Sequence, residues 1–478
     1  MLLVFLNISL NAQTTITLPD CVDCPKPQGI VIGEVCPLMM DIKDWGRTAN
    51  YNTISAAADL FITSDGQLWG YGNQATSTVL GFPAHVNDQG SATINMPHIE
   101  EITSPSPVAA VYRQGLTKTW KEVVLSPGNG GAYALADDGT LWAWGGDRTT
   151  SVTTGWDRAA HGGTLGSEPW NAWEIPAPTG VKFTQFWDHY GGSVFARGDD
   201  GKLYTWGRPL SPLSTGISSV AGVTLINTPT HADLIPHTIL DDRYAVVPAT
   251  GGQGLVYIDI NGDTYTFGQG IHTTTPQNPP EQLMFPTPGV KAVKLTGTRG
   301  GSNPPMVALG DDQKLYWMTT GGTNGYPSSA NRILYDMGPG SQPVNTWVKF
   351  DPQGAVNANY VDVAMTGGNE EGVAVADDGT VWFIAHTHPP YQITEAIGLD
   401  IVEAYIGLNG LVIMKASDGR SYQYAMTATA GSSAGNTPFG IGNTNIHGFD
   451  PEFPRGGPFL INCYVNPTGI NNAVPPGN

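Results

Sequence analysis

Several stretches of this chain carry residue types that could do chemistry. His386-Thr387-His388 sets two imidazoles on one face of an extended segment, which could hold a metal. Pro389-Pro390 follows directly, so the segment reads as a loop, and no carboxylate or third histidine stands near it in sequence. Glu370-Glu371 offers the carboxylate pair that a glycosidase uses. Adjacent strand residues face opposite ways, so that pair alone makes no dyad. Asp65, Asp138, Asp200, Asp378 and Asp418 recur and could suggest calcium. Each stands in a turn, where an aspartate bonds its own backbone, and neither EF-hand nor nonapeptide calcium spacing is present. Cys21 and Cys24 have the spacing of a zinc half-site but lack a second pair. A Gly-x-Ser-x-Gly nucleophile in a strand-to-helix setting is missing. No catalytic residue, cofactor or metal is expected from these elements.

What positions them is a repeat. The stretch Asp138-Gly139-Thr140-Leu141-Trp142-Ala143-Trp144-Gly145 has counterparts anchored at Gly66, Gly201, Gly262, Gln313, Gly379 and Gly419. Three residues after each anchor stands an aromatic: Trp69, Trp142, Tyr204, Tyr265, Tyr316, Trp382 and Tyr422. Five residues after it stand Tyr71, Trp144, Trp206, Phe267, Met318, Ile384 and Tyr424. Offsets of three and five share one face of a strand. Each copy is therefore a turn feeding a strand with a bulky face, and seven copies predict a repeat architecture.

A Gly pair precedes most copies, as at Gly130-Gly131, Gly191-Gly192, Gly251-Gly252, Gly300-Gly301 and Gly367-Gly368. A strand of small apolar residues follows it, such as Ala132 to Ala136, and then the turn, which makes a β-hairpin. Val-rich lead-ins lie upstream, for example Val181 to Phe186, Val290 to Leu295 and Ile401 to Ile406. The anchors are 40 to 73 residues apart, long enough for about four short strands each. The expected fold is all-β, a seven-bladed β-propeller of four-stranded antiparallel blades. Small residues are expected in its inner strand, and aromatics in the wedges between blades.

The hairpin of Gly pair, small apolar strand and Asp137-Asp138-Gly139-Thr140-Leu141-Trp142-Ala143-Trp144-Gly145 resembles the regulator-of-chromosome-condensation repeat. Gly162 to Gly166 and Gly442 to Gly448 look like worn copies of that repeat's Asn- and Gly-rich ending. The resemblance implies a seven-bladed propeller over about Ile30 to Pro458. It departs from the family in lacking the histidine after the Gly pair. The architecture also serves nuclear exchange factors, ubiquitin-ligase modules and secreted β-lactamase inhibitors, and a secreted, bacterial-type member is expected here.

That expectation comes from the N-terminus and the cysteines. Met1 to Leu10 is apolar and ends at Asn11-Ala12-Gln13, like the core and cleavage site of a signal peptide without its basic start. Residues 1–13 are read as that signal, 14–29 as a leader, 30–462 as the propeller, and 463–478 as a tail or a linker to a missing region. Four cysteines, Cys21, Cys24, Cys36 and Cys463, suit disulfides in an exported chain. The net charge of −19 argues against a nucleic-acid surface, and no segment qualifies as transmembrane.

The expected function is a secreted or cell-surface binding module, with no catalysis, recognising an extracellular protein or surface glycan. Residues beside the Gly pairs occupy equivalent hairpin positions and would gather on one face: Asn129, His189, Tyr190, Gln253, Asn303, Glu370 and Asn409. The insertion Thr150 to Thr179 adds Trp156, Trp170 and Trp173, which either anchor a partner or pin the loop onto the propeller, the pinning reading standing slightly ahead. Two other classes stand beside this reading. A polysaccharide-active hydrolase or lyase would need carboxylates or histidines converging on the central funnel. A structural module of a larger surface adhesin would need none. Four cysteines allow three pairings; since a propeller joins its first and last blades, Cys463 is expected to pair with an N-terminal cysteine, Cys36 foremost, a bridge that the chain-entropy model values at ~5 kcal/mol. Non-reducing peptide mapping should recover that linked pair, and a free Cys463 would refute it.

Overall fold

The computed structural model describes residues 42–45, 47–48, 58–72, 102–107, 111, 115–126, 131–145, 172–189, 193–207, 226–231, 238–248, 254–269, 276–297, 305–319, 345–353, 358–365, 371–385, 390–393, 396–406, 411–419, 421–425 and 459–460. The chain opens with β1 (Ile42–Trp45) and β2 (Arg47–Thr48), followed by β3 (Ala58–Thr63), β4 (Leu68–Gly72) and β5 (Ile102–Pro107). Blade 1 has the order β1-β3-β4-β5. Next come β6 (Trp120–Ser126), β7 (Gly131–Ala136), β8 (Leu141–Gly145) and β9 (Trp173–Ile175). They form blade 2, to which β2 adds a fifth, parallel strand beside β6. Blade 3 is β10 (Phe183–His189), β11 (Ser193–Gly198), β12 (Leu203–Gly207) and β13 (Ile226–His231). Blade 4 is β14 (Val246–Pro248), β15 (Gly254–Ile258), β16 (Thr264–Gln269) and β17 (Pro276–Leu283). Blade 5 is β18 (Ala292–Gly297), β19 (Pro305–Gly310), β20 (Leu315–Thr319) and β21 (Val348–Phe350). Blade 6 is β22 (Tyr360–Met365), β23 (Glu371–Ala376), β24 (Val381–Ala385) and β25 (Tyr391–Gln392). Blade 7 is β26 (Ile401–Ile406), β27 (Leu411–Ala416), β28 (Ser421–Ala425) and β29 (Phe459–Leu460).

First strands of successive blades lie against one another, from β1 to β6 and on through β10, β14, β18, β22 and β26. Tyr405 in β26 donates its hydroxyl to the Lys43 carbonyl in β1 at 3.5 Å, so the last blade meets the first. The protein is a seven-bladed β-propeller. The first strand lines the axis, which corrects one expectation: the small-residue strands such as β7 stand second, not innermost. Small side chains there let neighbouring sheets converge where the wedge is narrow, and the aromatics of the third strand fill it further out. Trp144 and Trp206 are fully buried in this way, each in a hydrophobic cluster that unites two neighbouring blades. Burying such rings supplies much of the cohesion between sheets.

All seven anchor residues adopt positive φ, from 61° at Gln313 to 86° at Gly419. The Asp of the turn holds the bend: Asp138 Oδ1 accepts from the Thr140 amide at 3.1 Å and from its hydroxyl at 2.6 Å. Asp378 and Thr380 repeat this pattern, while Asp200 and Asp312 accept from the hydroxyls of Tyr204 and Tyr316. The aromatic of the repeat is thus tied to its own turn. Partial burial works to raise the Asp138 pKa, but bonds from Lys118 and Thr140 prevail and hold it at about 2.

The turn also reaches the next blade. The carbonyls of Gly66, Gly139, Gly262 and Gln313 accept from the amides of Trp120, Phe183, Ala292 and Tyr360 at 2.8–2.9 Å. Space at the turn varies from blade to blade. A Cβ on Gly139 would stand 2.7 Å from Lys182 Cβ, whereas one on Gly201 meets nothing within 4 Å. Gly201→Ala should therefore cost only the left-handed backbone penalty of about 1–2 kcal/mol. Gly139→Ala should cost more and loosen the contact with blade 3. Denaturant midpoints of the two variants check the order.

Candidate functional site

The first strand of a blade starts with a β-bulge in blades 1, 2, 3, 5, 6 and 7. The residue that closes the bulge pairs with the residue four before the anchor in every one of these blades. Those residues are Asp44, Glu122, Gln185, Lys294, Asp362 and Glu403, opposite Ile62, Leu135, Arg197, Leu309, Val375 and Lys415. All are polar, and Asp44, Glu122, Gln185, Lys294 and Asp362 are buried. Blade 4 places Ala245 at this level, its carbonyl accepting from Ile258 at 2.8 Å. A polar ring therefore surrounds the axis, with one member replaced.

Asp44, Glu122, Lys294 and Asp362 each bond to the next blade. Asp44 Oδ2 accepts from the Val123 amide at 2.9 Å, and Asp362 Oδ2 from the Ala404 amide at 2.8 Å. Val123 and Ala404 each follow a ring residue, so this is one latch used twice. Blade 4 has no side chain for the latch, and the Tyr244 carbonyl takes its place, accepting from Leu295 at 3.0 Å. Gln185 donates to Glu122 at 2.5 Å. Lys294 donates to Asp362 at 2.5 Å and lies 3.8 Å over the Tyr244 ring. Arg243, just before Tyr244, forms an ion pair with Asp44 and so links blade 4 to blade 1. Burial alone would lower the Lys294 pKa; Asp362, Tyr244 and the hydrogen bond outweigh it and raise it. Burial also pushes the Tyr405 phenol up, with Glu403 adding to the effect.

Carboxylates do converge on the funnel, as a hydrolase would require. Asp44, Glu122 and Asp362 are each shielded from solvent and engaged by a cation, an amide or both, which leaves them holding blades together. Among the described residues no group of three or more His, Cys, Asp or Glu could hold a metal ion. No described helix is long and apolar enough to cross a membrane.

Of the residues expected to bind a partner, two are placed. His189 ends β10, with its backbone opposite Ser193. Trp173 opens β9, opposite Ala143, so it is a half-buried outer-strand residue and no part of a free loop. Its indole nitrogen is shielded from solvent without a hydrogen-bond partner. Phe186 and Trp187 are core, and Trp187 donates to the Asp242 carbonyl at 2.8 Å. Asn129, Trp156, Trp170, Tyr190, Gln253, Asn303, Glu370 and Asn409 lie outside the described residues, as do His386, His388 and Cys21, Cys24, Cys36 and Cys463. Their flanking strands are described. Asn129 falls between β6 and β7, Tyr190 between β10 and β11, and Gln253, Asn303, Glu370 and Asn409 between the first two strands of blades 4 to 7. In an antiparallel blade the link from first to second strand and the link from third to fourth leave by the same face. Trp156 and Trp170, between β8 and β9, belong to that second kind.

No family model matches the chain, and no curated protein matches it. Solved structures do. Human WBSCR16 aligns at 15% identity with a TM-score of 0.51, over 77% of this chain and 85% of its own. Yeast RCC1 (Prp20), in a structure with Kap60, aligns at 15% identity and a TM-score of 0.51, over 87% of this chain and 88% of that one. Another structure is of Prp20p from Saccharomyces cerevisiae, described with its binding to Gsp1p and histones; it aligns at 15% identity and a TM-score of 0.49, over 86% and 87%. The first two likenesses show the propeller fold.

They also correct the expected setting. The two propellers that align at a TM-score of 0.51 are human and yeast proteins, and the partner named with one of them is Kap60. The expectation of a secreted or cell-surface adhesion protein of bacterial type, with an extracellular protein or glycan partner, is overturned. It had rested on the apolar run Met1 to Leu10 and on the cysteines, which no strand of the described fold includes.

Sequence reasoning missed the polar ring, because one polar residue in a lead-in strand reads as solvent-facing. Its signal was the recurrence of a polar residue at a fixed register to the anchor. Replacing Lys294 by Met leaves Asp362 buried without its cation and should cost about 3–5 kcal/mol, whereas Lys294→Met/Asp362→Leu should recover much of that. Because the Lys294 pKa is raised, its contribution is complete below the ordinary lysine value of 10.5 and is lost as pH climbs through the higher folded value. Urea titrations of both variants, and of the wild type against pH, read this out.

Proposed function

We propose that this chain is a non-catalytic propeller that binds a protein partner through the loops of one face. The observation that carries the reading is the division between the two faces. Links between second and third strands are tight, repeated turns, five of the seven Asp-Gly, spent on bonds within and between blades. Links between first and second strands, and between third and fourth, hold the segments in which the seven copies differ. A rigid repeat scaffold with variation concentrated on one side is how propellers present a recognition surface. The contact residues are assigned as Asn129, Tyr190, Gln253, Asn303, Glu370 and Asn409, with Trp156 and Trp170 as aromatic anchors. Trp173 serves instead to pin the outer strand of blade 2.

The axial carboxylates support a scaffold role over a hydrolytic one, since their oxygens are already bonded to the neighbouring blades. Proximity labelling with the full chain in its own cells tests the proposal, comparing wild type with Trp170→Ala/Tyr190→Ala/Asn409→Ala. The triple variant should lose proteins that the wild type enriches, as expected when anchors worth ~2 kcal/mol each are removed. Its melting temperature should stay within a few degrees of wild type. An unchanged labelled set would reject the loop face as the binding surface.

A further inference from the structure

The opposite face, that of the tight turns, carries an apolar arc which the proposed function does not use. Just before each ring residue, the bulge turns one side chain outward at the mouth of the axis. In blades 1 and 2 that residue is Lys43 and Lys121, both exposed. In blades 5, 6 and 7 it is Val293, Val361 and Val402, exposed by 46%, 40% and 42%. The lysines show that the position accepts a charged side chain, so nothing in the bulge itself calls for valine. Three adjacent blades presenting the same exposed apolar residue at one register form an arc, unlike the scattered single exposures normal on a protein surface. Ile397, in the turn that leads into β26, adds a further apolar residue at 58% exposure.

The charges around this arc are unevenly matched. In blades 1 to 3, three exposed carboxylates sit in ion pairs, Asp137 with Lys43, Asp138 with Lys118 and Asp200 with Lys202, while Asp65 and Asp199 accept from neutral donors. Beside the valines four such carboxylates bond to neutral donors. Asp312 accepts from the Lys314 amide at 3.2 Å and the Tyr316 hydroxyl at 2.6 Å. Asp378 accepts from Thr380, Asp400 from the Ser417 hydroxyl, and Asp377 from the Asn359 amide group at 2.9 Å. Among the described residues no lysine or arginine forms an ion pair with any of these four.

We propose that this half of the turn face, over blades 5 to 7, docks a basic amphipathic segment of a partner protein. An apolar side chain of the segment seats on Val293, Val361 and Val402, and flanking lysines or arginines reach Asp312, Asp378 and Asp400. Complementary charge steers and orients such a segment, while the apolar contact holds it. This site stands on the face away from the loops, so it neither needs nor supports the loop-face proposal.

Fluorescence anisotropy with the full chain tests it, the probe being a dye-labelled synthetic peptide of alternating lysine and leucine. Lysine–serine and glutamate–leucine peptides are the controls. The lysine–leucine peptide should bind about tenfold tighter than either control, a difference of about 1.4 kcal/mol. Val293→Ser/Val361→Ser/Val402→Ser and Asp312→Asn/Asp378→Asn/Asp400→Asn should each weaken it by about tenfold, the second with a flatter salt dependence. Asp138→Asn/Asp200→Asn, on the same face but over blades 2 and 3, and the loop-face triple variant should leave it unchanged. Equal binding of the glutamate–leucine peptide, no loss in either triple variant, or an equal loss in Asp138→Asn/Asp200→Asn would overturn the proposal. If the valine triple variant does not fold, a photo-crosslinking form of the peptide decides on the wild type. Crosslinks confined to the turns of blades 5 to 7 support the site, and crosslinks elsewhere refute it.

Discussion

A propeller turns the inner edge of every sheet toward a common axis, where no further strand can pair with most of them. Those edge amides and carbonyls must be satisfied some other way, because a buried backbone group without a partner is costly. This protein meets the constraint by passing hydrogen bonds from blade to blade. The left-handed turn residue directs a carbonyl at the next blade, seen at Gly66, Gly139, Gly262 and Gln313. Acids of the axial ring capture amides a few residues further along, seen at Asp44 and Asp362. Strand β2 is the exception that pairs, lying parallel to β6 at the inner edge of blade 2.

These latches and the hydrophobic wedges do different work. The wedges supply most of the free energy, since each unites the aromatic and aliphatic side chains of neighbouring sheets. Such similar wedges hold little information about which blade belongs beside which. The polar ring is more particular: Glu122 meets Gln185, Lys294 meets Asp362, and Arg243 reaches Asp44 from three blades away. Buried ion pairs of this kind add little net stability over apolar substitutes but penalise wrong partners strongly. Blade 4 illustrates the economy of the arrangement. It lacks a polar ring residue, and a backbone carbonyl together with Arg243 and Tyr244 covers the same positions.

The residues that first looked chemical belong mainly to this framework. The recurrent aspartates close turns, and the axial acids hold neighbouring blades. Variation is left to the loops of one face, and an unevenly charged apolar arc to the other. The two faces therefore differ in kind. One is set by segments that differ between copies, the other by which residue occupies a repeated position.

Much of the fold was legible in the chain alone. The anchors, the aromatics three and five residues beyond them and the hairpins were read from local spacing, and all seven anchors prove to be left-handed. A turn conformation and a strand face are local properties, written within a few consecutive residues. The axial ring is of another kind. Lys294 and Asp362 are 68 residues apart, Asp44 and Val123 79, and each of the three charged residues reads as an ordinary surface residue until ring closure buries it beside its partner. The place of Trp173 in β9 was hidden for the same reason, since whether a tryptophan caps a loop or ends a sheet depends on which strand arrives next to it. The blade and its number are legible along the chain, because the repeat states them seven times. Which strand faces the axis and which charges meet there became visible only in the closed ring, because those contacts exist between blades and no single repeat contains both partners.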